Sequence, residues 1–213
     1  METGTARPEI VSAQEWEQAR ARLLTAEKEL TRAQDALAAQ RRRLPMRELG
    51  DDYEFATTEG PKRLVDLFLG RDQLVVYQFM DAGPDHLCPG CSQFTDSVPP
   101  NSLVTLADRG ISWATISNMP LAQIEEGKAR KGWTMPFHSS RGTTFADDIG
   151  AGGGFQFCCF LRDGGRVFLT YSTGQRGVDR LVYLNSILDL TAFGRQEDWE
   201  DSPAGWPQHP TYG

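Results

Sequence analysis

Two cysteines three positions apart have the residue type and the spacing to do redox chemistry. Cys88 and Cys91 frame the sequence Cys-Pro-Gly-Cys, which follows an apolar run and precedes residues that should form a helix. At a helix N-terminus, free backbone N–H groups and the helix dipole stabilise a thiolate. We therefore expect Cys88 to be an exposed attacking thiolate whose pKa lies below the usual value of about 8.5. Cys91, one turn inside the helix and shielded, would resolve the mixed disulfide.

The two residues between the cysteines support this interpretation. Pro89 has a fixed φ angle and no backbone N–H, which suits the first position of a helix. Gly90 has no side chain, so the backbone of a partner can come close. Two other interpretations stay open: the cysteines could form half of a zinc site with His86, although a second ligand pair is missing, or they could only pack or bind.

Three further thiol and imidazole groups are less suited to catalysis. Cys158 and Cys159 are adjacent in a predicted strand, so their side chains should point to opposite faces of the sheet as small, inert, buried thiols. His138 should be a structural or surface histidine, because no spacing connects it with Cys88. The glycine-rich segment 150–154 precedes a strand and is therefore not a dinucleotide-binding loop.

Alternating strands and helices must position the cysteine pair. The apolar run 73–80 predicts a buried strand directly before Cys88, and the residues 163–165, Asp-Gly-Gly, predict a β-hairpin between two further strands. This order is typical of an α/β fold whose mixed sheet is covered on both faces. The whole pattern predicts strands at 53–55, 73–80, 111–117, 155–162 and 166–172, a short extended piece at 135–140, and helices at 61–69, 89–98, 101–110, 120–133 and 178–190.

A long helix should precede this domain. Ser12 and Glu15 have the spacing of a capping box, and the helix should continue to about Arg43, before Pro45. A seam of large apolar residues every seven positions, with alanines between them, suits either packing along the same domain or pairing with a second copy. Its members are Trp16, Leu23, Leu30, Leu37 and Leu44, with Ala19, Ala26 and Ala33. We expect a homodimer formed through this helix.

Charge and composition narrow the class of protein. The chain has 213 residues and a net charge of −7, which argues against a nucleic-acid partner. No run approaches the roughly 18 to 20 apolar residues of a membrane span, so no membrane association is expected. The polar N-terminus lacks the features of a secretory signal, and four cysteines do not make a disulfide framework. Cytoplasmic residence, with reduced thiols, is the expectation.

Several specific segments resemble a bacterial thioredoxin-like family catalogued as domain of unknown function number 899. The resemblance covers nearly the whole chain and implies a thioredoxin-like three-layer α/β/α sandwich, with at most a dithiol-disulfide oxidoreductase activity. We expect a helical arm at residues 1–50, the thioredoxin-like domain at 51–195 and a C-terminal tail at 196–213. The segments are EWEQARARLLTAEKELTRAQDALAAQRRRLPM, DLFLGRDQLVVYQFM, CPGCSQFTD, GWTMPFHSS, RVFLTYSTGQRG and LDLTAFGRQEDWEDSPAGWPQ.

The chain also departs from better-understood relatives of that fold. Where thioredoxins carry a cis-proline that helps to hold a disulfide substrate, this sequence has glycines at 152–154, followed by Phe155. Peroxiredoxins have a threonine three residues before the attacking cysteine, and here that position is Asp85. An arginine entering the strand at 155–160 is also absent. Peroxidase activity is therefore a weaker expectation than disulfide exchange.

The sequence thus predicts a cytoplasmic thiol-disulfide oxidoreductase that uses Cys88 and Cys91, supported by Pro89 and Gly90. The substrate would be a disulfide-containing protein or a small thiol compound, and a separate dithiol reductant would supply electrons. No organic cofactor or metal is expected. The alternative is a non-catalytic thioredoxin-like module that binds a partner or dimerises.

Overall fold

A six-stranded mixed sheet organises the larger part of the molecule. The structure is a computed structural model and describes residues 6–50 and 52–211. These residues divide into two compact units, one containing the chain up to Pro45 together with Asp189–Pro210, the other containing Met46–Leu188 with Thr211. None of the helices in the described part of the chain is long and apolar enough to cross a membrane.

The elements of the larger unit follow one another in an α/β order. The strands are β1 (Arg47–Leu49), β2 (Glu54–Phe55), β3 (Lys62–Arg63), β4 (Gln73–Phe79), β5 (Ile111–Ser117), β6 (Phe137–Ser139), β7 (Gln156–Asp163) and β8 (Arg166–Thr173). The helices are α2 (Pro89–Asp96), α3 (Pro100–Asp108), α4 (Leu121–Lys131), α5 (Phe145–Asp148) and α6 (Tyr183–Leu188), with 3₁₀ helices at Leu64–Phe68 and Gln175–Leu181. The helix α1 (Ala13–Arg41) precedes them and belongs to the smaller unit.

The strand order places β4 near the middle of the sheet, with β1-β8-β7 on one side and β5-β6 on the other. Neighbours β4, β5 and β6 are parallel, and β4, β7, β8 and β1 are antiparallel. Parallel strands need a long crossover, which α2 and α3 supply between β4 and β5. The predicted hairpin at 163–165 is confirmed: Gly164 has a φ of 59° in the two-residue turn between β7 and β8, where a residue without Cβ is favoured.

Alternate residues along the central strands build a core on each face of the sheet. On one face, Leu74 and Val76 of β4 pack with the 3₁₀ helix Leu64–Phe68 and with Phe145 of α5. On the other face, Tyr77 and Phe79 pack with residues of α2 and α4. Each fully buried large apolar side chain contributes about 1.5–3 kcal/mol to stability. The sheet is therefore the middle of three layers, and the predicted α/β/α sandwich with a mixed sheet is confirmed.

Two local predictions are corrected by the structure. Residues 61–69 form β3 and one turn of 3₁₀ helix, because Leu69 adopts a left-handed φ of 51° that ends the helix. The predicted closing helix 178–190 is divided at Val182, which is extended at ψ 106°. Val182 is buried in the core, and this contact outweighs the helical spacing of its neighbours. The short elements β1 and α5 were not predicted, since three or four residues carry too little periodicity.

The predicted N-terminal helix is confirmed as α1, which ends at Arg41, two residues earlier than expected. The capping box is also present: Ser12 Oγ accepts a hydrogen bond from the backbone N–H of Glu15 (3.3 Å), and a carboxylate oxygen of Glu15 accepts one from the N–H of Ser12 (3.0 Å). These bonds satisfy two backbone donors that a helix start leaves without partners. The hydroxyl of Ser12 also donates to this carboxylate (2.7 Å). That bond, followed by the one from the backbone N–H of Ser12, lowers the pKa of Glu15.

Candidate active site

The strand β4 leads directly to the cysteine pair. Cys88 is the N-cap residue of α2, and Pro89 is the first residue of the helix, as predicted. The loop between β4 and the helix is held by a bridge between Asp81 and Leu87 and by a left-handed residue, Asp85, with a φ of 60°. The central strand and the helix therefore fix the position of both sulfur atoms.

Cys88 accepts a backbone hydrogen bond at the start of this helix. The N–H of Cys91 points to Sγ of Cys88 over 3.4 Å. A donor in this position favours the charged form of the sulfur, and the dipole of α2 acts in the same direction. The geometry supports Cys88 as the thiolate of the pair.

Cys91 is held in its protonated form by the same arrangement. A hydrogen bond with Cys88 is the main cause that raises the pKa of Cys91 far above its usual range, and burial raises it further. Two groups act in the opposite direction and lower the pKa: the hydroxyl of Tyr77 and the backbone N–H of Met80, which hydrogen-bond with the Cys91 sulfur. The two cysteines are therefore chemically different before any reaction.

Tyr77 is a site residue that the sequence predicted only as part of the buried strand 73–80. Its side chain is 1% exposed, as expected for core, but its hydroxyl also reaches Cys91. Its ring stacks on that of Phe94 from α2, with centroids 3.8 Å apart and planes 17° from parallel. The available signal was the strand period, because Tyr77 and Phe79 lie on one face of the strand that ends at the cysteines.

The helix α2 is fixed along its length by further contacts. Thr95 Oγ1 donates to the carbonyl oxygen of Cys91 (2.8 Å). At the helix end, the carboxylate of Asp96 accepts a hydrogen bond from the indole N–H of Trp133 (2.7 Å). The same carboxylate forms an ion pair with Lys131 (3.1 Å). Such contacts stiffen the element that carries both cysteines, as a site built on a rigid scaffold requires.

The expectation that Cys88 is exposed is wrong for this structure. Cys88 and Cys91 are each 1% exposed, and both belong to one apolar cluster. Val178 of the second 3₁₀ helix and Val182 after it are members of the same cluster. The sequence prediction treated α2 alone, whereas residues far along the chain add to the burial of its N-terminus.

The residues between the cysteines remain near solvent. Pro89 is exposed and Gly90 is half-buried. A groove of about 650 Å³ runs beside α2 from this point, between the helix and the start of α6. It is lined by Leu87, Pro89, Ser92, Gln93, Asp96, Ser97, Arg130, Lys131, Tyr183 and Leu184.

The glycine segment 152–154 has the position that the comparison with thioredoxins predicts. It directly precedes β7, which pairs with β4, and the following Phe155 packs against the cluster that contains both cysteines. The segment therefore adjoins the core face of the site and contains no proline.

The structure does not bring the other thiol and imidazole groups to the site. Cys158 is fully buried in the cluster on the opposite face of the sheet, and burial raises its pKa. Cys159 is half-buried, with a pKa raised to about 11 by burial. His138 lies on β6, where burial and then the nearby Lys62 and Lys128 lower its pKa to about 4.

Metal ligation receives no geometric support in the described ranges. His86 is exposed, and among residues 6–50 and 52–211 no three His, Cys, Asp or Glu side chains converge on a position that could hold a metal ion.

Comparison with solved structures gives distant similarities. The chain resembles the peroxidoxin BcpB of Mycobacterium tuberculosis at 18% identity, over 65% of this chain and 94% of that chain, with a TM-score of 0.48. It resembles peroxiredoxin Q of Xanthomonas campestris at 17% identity, over 64% and 92% of the two chains, with a TM-score of 0.42. A secreted disulfide oxidoreductase of Mycobacterium tuberculosis matches at 12% identity, over 62% and 95%, with a TM-score of 0.38.

Sequence comparison identifies the family. No curated protein matches the chain. The sequence signature described as "Bacterial protein of unknown function (DUF899)" matches residues 5–212. This match spans almost the full length, so the chain belongs to the DUF899 family of bacterial proteins.

Proposed function

We propose that this protein catalyses thiol–disulfide exchange, with Cys88 as the attacking thiolate and Cys91 as the resolving thiol. The observation that carries the proposal is the pairing at the start of α2, where the N–H of Cys91 donates to Sγ of Cys88. Pro89 and Gly90 support the site by starting the helix and by leaving room for a partner's backbone.

The reaction consists of two exchanges. The Cys88 thiolate attacks one sulfur of a substrate disulfide, a new Cys88–substrate disulfide forms, and the other substrate sulfur leaves as a thiolate that takes up a proton. Cys91 then loses its proton and attacks Sγ of Cys88, which releases the second substrate thiol and leaves a Cys88–Cys91 disulfide. The substrate gains two electrons and the protein dithiol loses two. A separate dithiol reductant returns the protein to its starting state.

The hydrogen bond between Cys88 and Cys91 sets the order of the two exchanges. The main cause of the raised pKa of Cys91 is its hydrogen bond with Cys88. Once Cys88 is bonded to the substrate it carries no charge, so this cause disappears and the pKa of Cys91 falls. The hydroxyl of Tyr77 and the N–H of Met80 then stabilise the Cys91 thiolate. Cys91 is therefore inactive until Cys88 has reacted.

Substrates of two classes fit this chemistry: a disulfide-containing protein or a small disulfide. The groove beside α2 supports the docking of an extended substrate segment, because the exposed Tyr183 and Leu184 line it together with Pro89. A dithiol that works as a reductant fits a cytoplasmic location, where cysteines stay reduced. The steps above use no cofactor or metal.

The proposal is tested by trapping the intermediate. A Cys91→Ser variant incubated with a fluorescently labelled peptide disulfide should accumulate one covalently attached peptide per chain, which dithiothreitol releases. Cys88→Ser should attach none, and Cys159→Ser, the matched control, should turn over like the wild type. Attachment of peptide to Cys88→Ser at the wild-type rate would contradict the assignment of the attacking thiol.

A non-catalytic binding module is the alternative, and the burial of both cysteines favours it, since a 1% exposed sulfur does not meet a substrate without movement. Counting free thiols before and after mild oxidation distinguishes the two functions. Exchange chemistry requires the loss of two thiols, both from the Cys88–Cys91 pair, whereas a binding module keeps four.

A further inference from the structure

The helix α1 carries an apolar stripe that the described chain leaves uncovered. None of its 29 residues is buried. Trp16, Leu23, Leu30 and Leu37 are 60%, 56%, 59% and 43% exposed, and they recur every seven residues. Leu44, just beyond the helix end, continues the spacing at 48% exposure. Four large apolar side chains in one line on a helix surface form an interaction surface.

The spacing assigns these residues to a single heptad frame. With Trp16 and the three leucines at position a, the alanines 19, 26 and 33 occupy position d. The other frame, with the leucines at d, would put Arg20 and Glu27 at position a, in the core of a pair. Leucine at a and alanine at d make a narrow seam that allows two helix backbones to approach closely.

We propose that α1 pairs with α1 of a second copy of this chain as a parallel, two-stranded coiled coil. This inference does not depend on the redox proposal. In a parallel pair, position g of one heptad faces position e of the next heptad in the partner helix. Arg22 at g then faces Glu27 at e, and two-fold symmetry makes this contact twice.

The remaining flanking positions agree with the parallel arrangement. Glu15 at g faces Arg20 at e, and Glu29 at g faces the neutral Gln34 at e. No like charges oppose each other. Within one chain, Arg20 and Glu27 form an ion pair along the helix (2.8 Å), and the carboxylate of Glu15 caps the helix start. None of the ion pairs within residues 6–50 and 52–211 involves Arg22, so its guanidinium is available to Glu27 of the partner helix.

An antiparallel pair with full overlap is disfavoured by the same charges. In that arrangement e faces e and g faces g, and the symmetry axis lies near the middle of the helix. Glu27 would face its own copy, and Glu29 would do the same. Like charges that face each other at positions e and g destabilise this antiparallel arrangement.

The core of the proposed interface is tested with the full-length chain. The wild type should sediment at twice its mass of 23.7 kDa at micromolar concentration. Leu23→Gln, at position a, should weaken self-association at least about tenfold and give the single-chain mass. Leu24→Gln, at the neighbouring position b, is the matched control and should keep the double mass. Because Leu23 is 56% exposed, far-ultraviolet circular dichroism should show an unchanged fold.

The orientation is tested by exchanging charges. Arg22→Glu and Glu27→Arg should each weaken the dimer, because each places like charges opposite one another, and the double variant should restore it. Lys28→Glu, at the outer position f, should have no effect. In an antiparallel pair the double variant would stay weak, which would overturn the parallel arrangement. A wild type of single-chain mass, a mass above two chains, or a dimer that Leu23→Gln leaves intact would overturn the coiled-coil pairing itself.

Discussion

The backbone N–H of Cys91 donates a hydrogen bond to Sγ of Cys88 over 3.4 Å. An amide donor in this position stabilises negative charge on the Cys88 sulfur. The hydrogen bond with Cys88, followed by burial, raises the pKa of Cys91. Cys88 and Cys91 lie within one helical turn, yet their thiols differ in how readily they lose a proton.

Alkylation should separate the two thiols. At neutral pH, iodoacetamide should modify Cys88 at least about a hundredfold faster than Cys91, since each unit of pKa difference changes the thiolate fraction about tenfold. Cys158 and Cys159 should react slowly, because burial raises the pKa of both. Peptide mass spectrometry at successive times gives the order. In the denatured protein all four cysteines should react at similar rates, and equal rates in the native protein would contradict this account.

Tyr77→Phe should slow the second exchange and leave the first unchanged. The hydroxyl of Tyr77 lowers the pKa of Cys91, so its removal leaves the Cys91 thiolate with less stabilisation. The ring and its stacking on Phe94 are retained. In rapid-quench experiments with a peptide disulfide, the mixed disulfide should persist about three- to tenfold longer than in the wild type.

The matched control for Tyr77→Phe removes a phenol hydroxyl that lies away from the cysteine pair. Tyr53→Phe, in the apolar cluster on the opposite face of the sheet, removes a phenol hydroxyl that donates to Asp148 and should leave the lifetime of the mixed disulfide unchanged. A Tyr77→Phe variant with a wild-type lifetime would show that the hydroxyl has no part in resolution.

Val178→Ala should expose the cysteine pair. Val178 is 6% exposed and shares an apolar cluster with Cys88 and Cys91. Its truncation should lower the free energy of unfolding by about 1–2 kcal/mol and increase the alkylation rate of Cys88 at constant pH. Val104→Ala, at a position that is 61% exposed, should change neither quantity. An unchanged Cys88 rate in Val178→Ala would mean that the 3₁₀ helix does not limit access.

His138 should make the fold sensitive to mild acid. Its pKa in the folded protein is lowered to about 4, first by burial and then by Lys62 and Lys128. Because the unfolded chain binds the proton at about pH 6.5, the contribution of neutral His138 is complete above that pH and is lost as the pH falls towards 4. After allowance for solvent screening, the loss should be about 1–2 kcal/mol.

Urea unfolding of His138→Gln measures this contribution. Between pH 6.5 and 4, the unfolding free energy of the variant should fall less steeply than that of the wild type. Carboxylates that do not interact with His138 affect both proteins equally, so the difference reports His138 together with its neighbours Glu59 and Glu125. His209→Gln, which changes an exposed histidine, should follow the wild type. Parallel curves for the wild type and His138→Gln would contradict the lowered pKa.

Much of the local structure around the site was predictable from nearby residues. The apolar run of β4, the proline at the start of α2 and the Ser12–Glu15 capping box all act within a few positions of one another. Hydrophobic periodicity, fixed φ angles and side-chain capping operate over this same short range. They placed Cys88 at the helix start and Cys91 one turn inside it.

Tertiary structure alone decided how these residues are surrounded. The three residues of β1 become a strand only because Arg47 to Leu49 align with Leu169 to Val167 of β8. Val178 and Val182 join the cluster of the cysteines although a long stretch of chain separates them, and Val182 leaves the helical conformation to do so. Packing between distant segments buries the sulfur atoms of Cys88 and Cys91. The strand period indicated which face of β4 carries Tyr77, but only the assembled layers bring its hydroxyl to Cys91. Spacing within the sequence does not encode such contacts, because their free energy comes from apolar surface that is removed from water only after the layers have assembled.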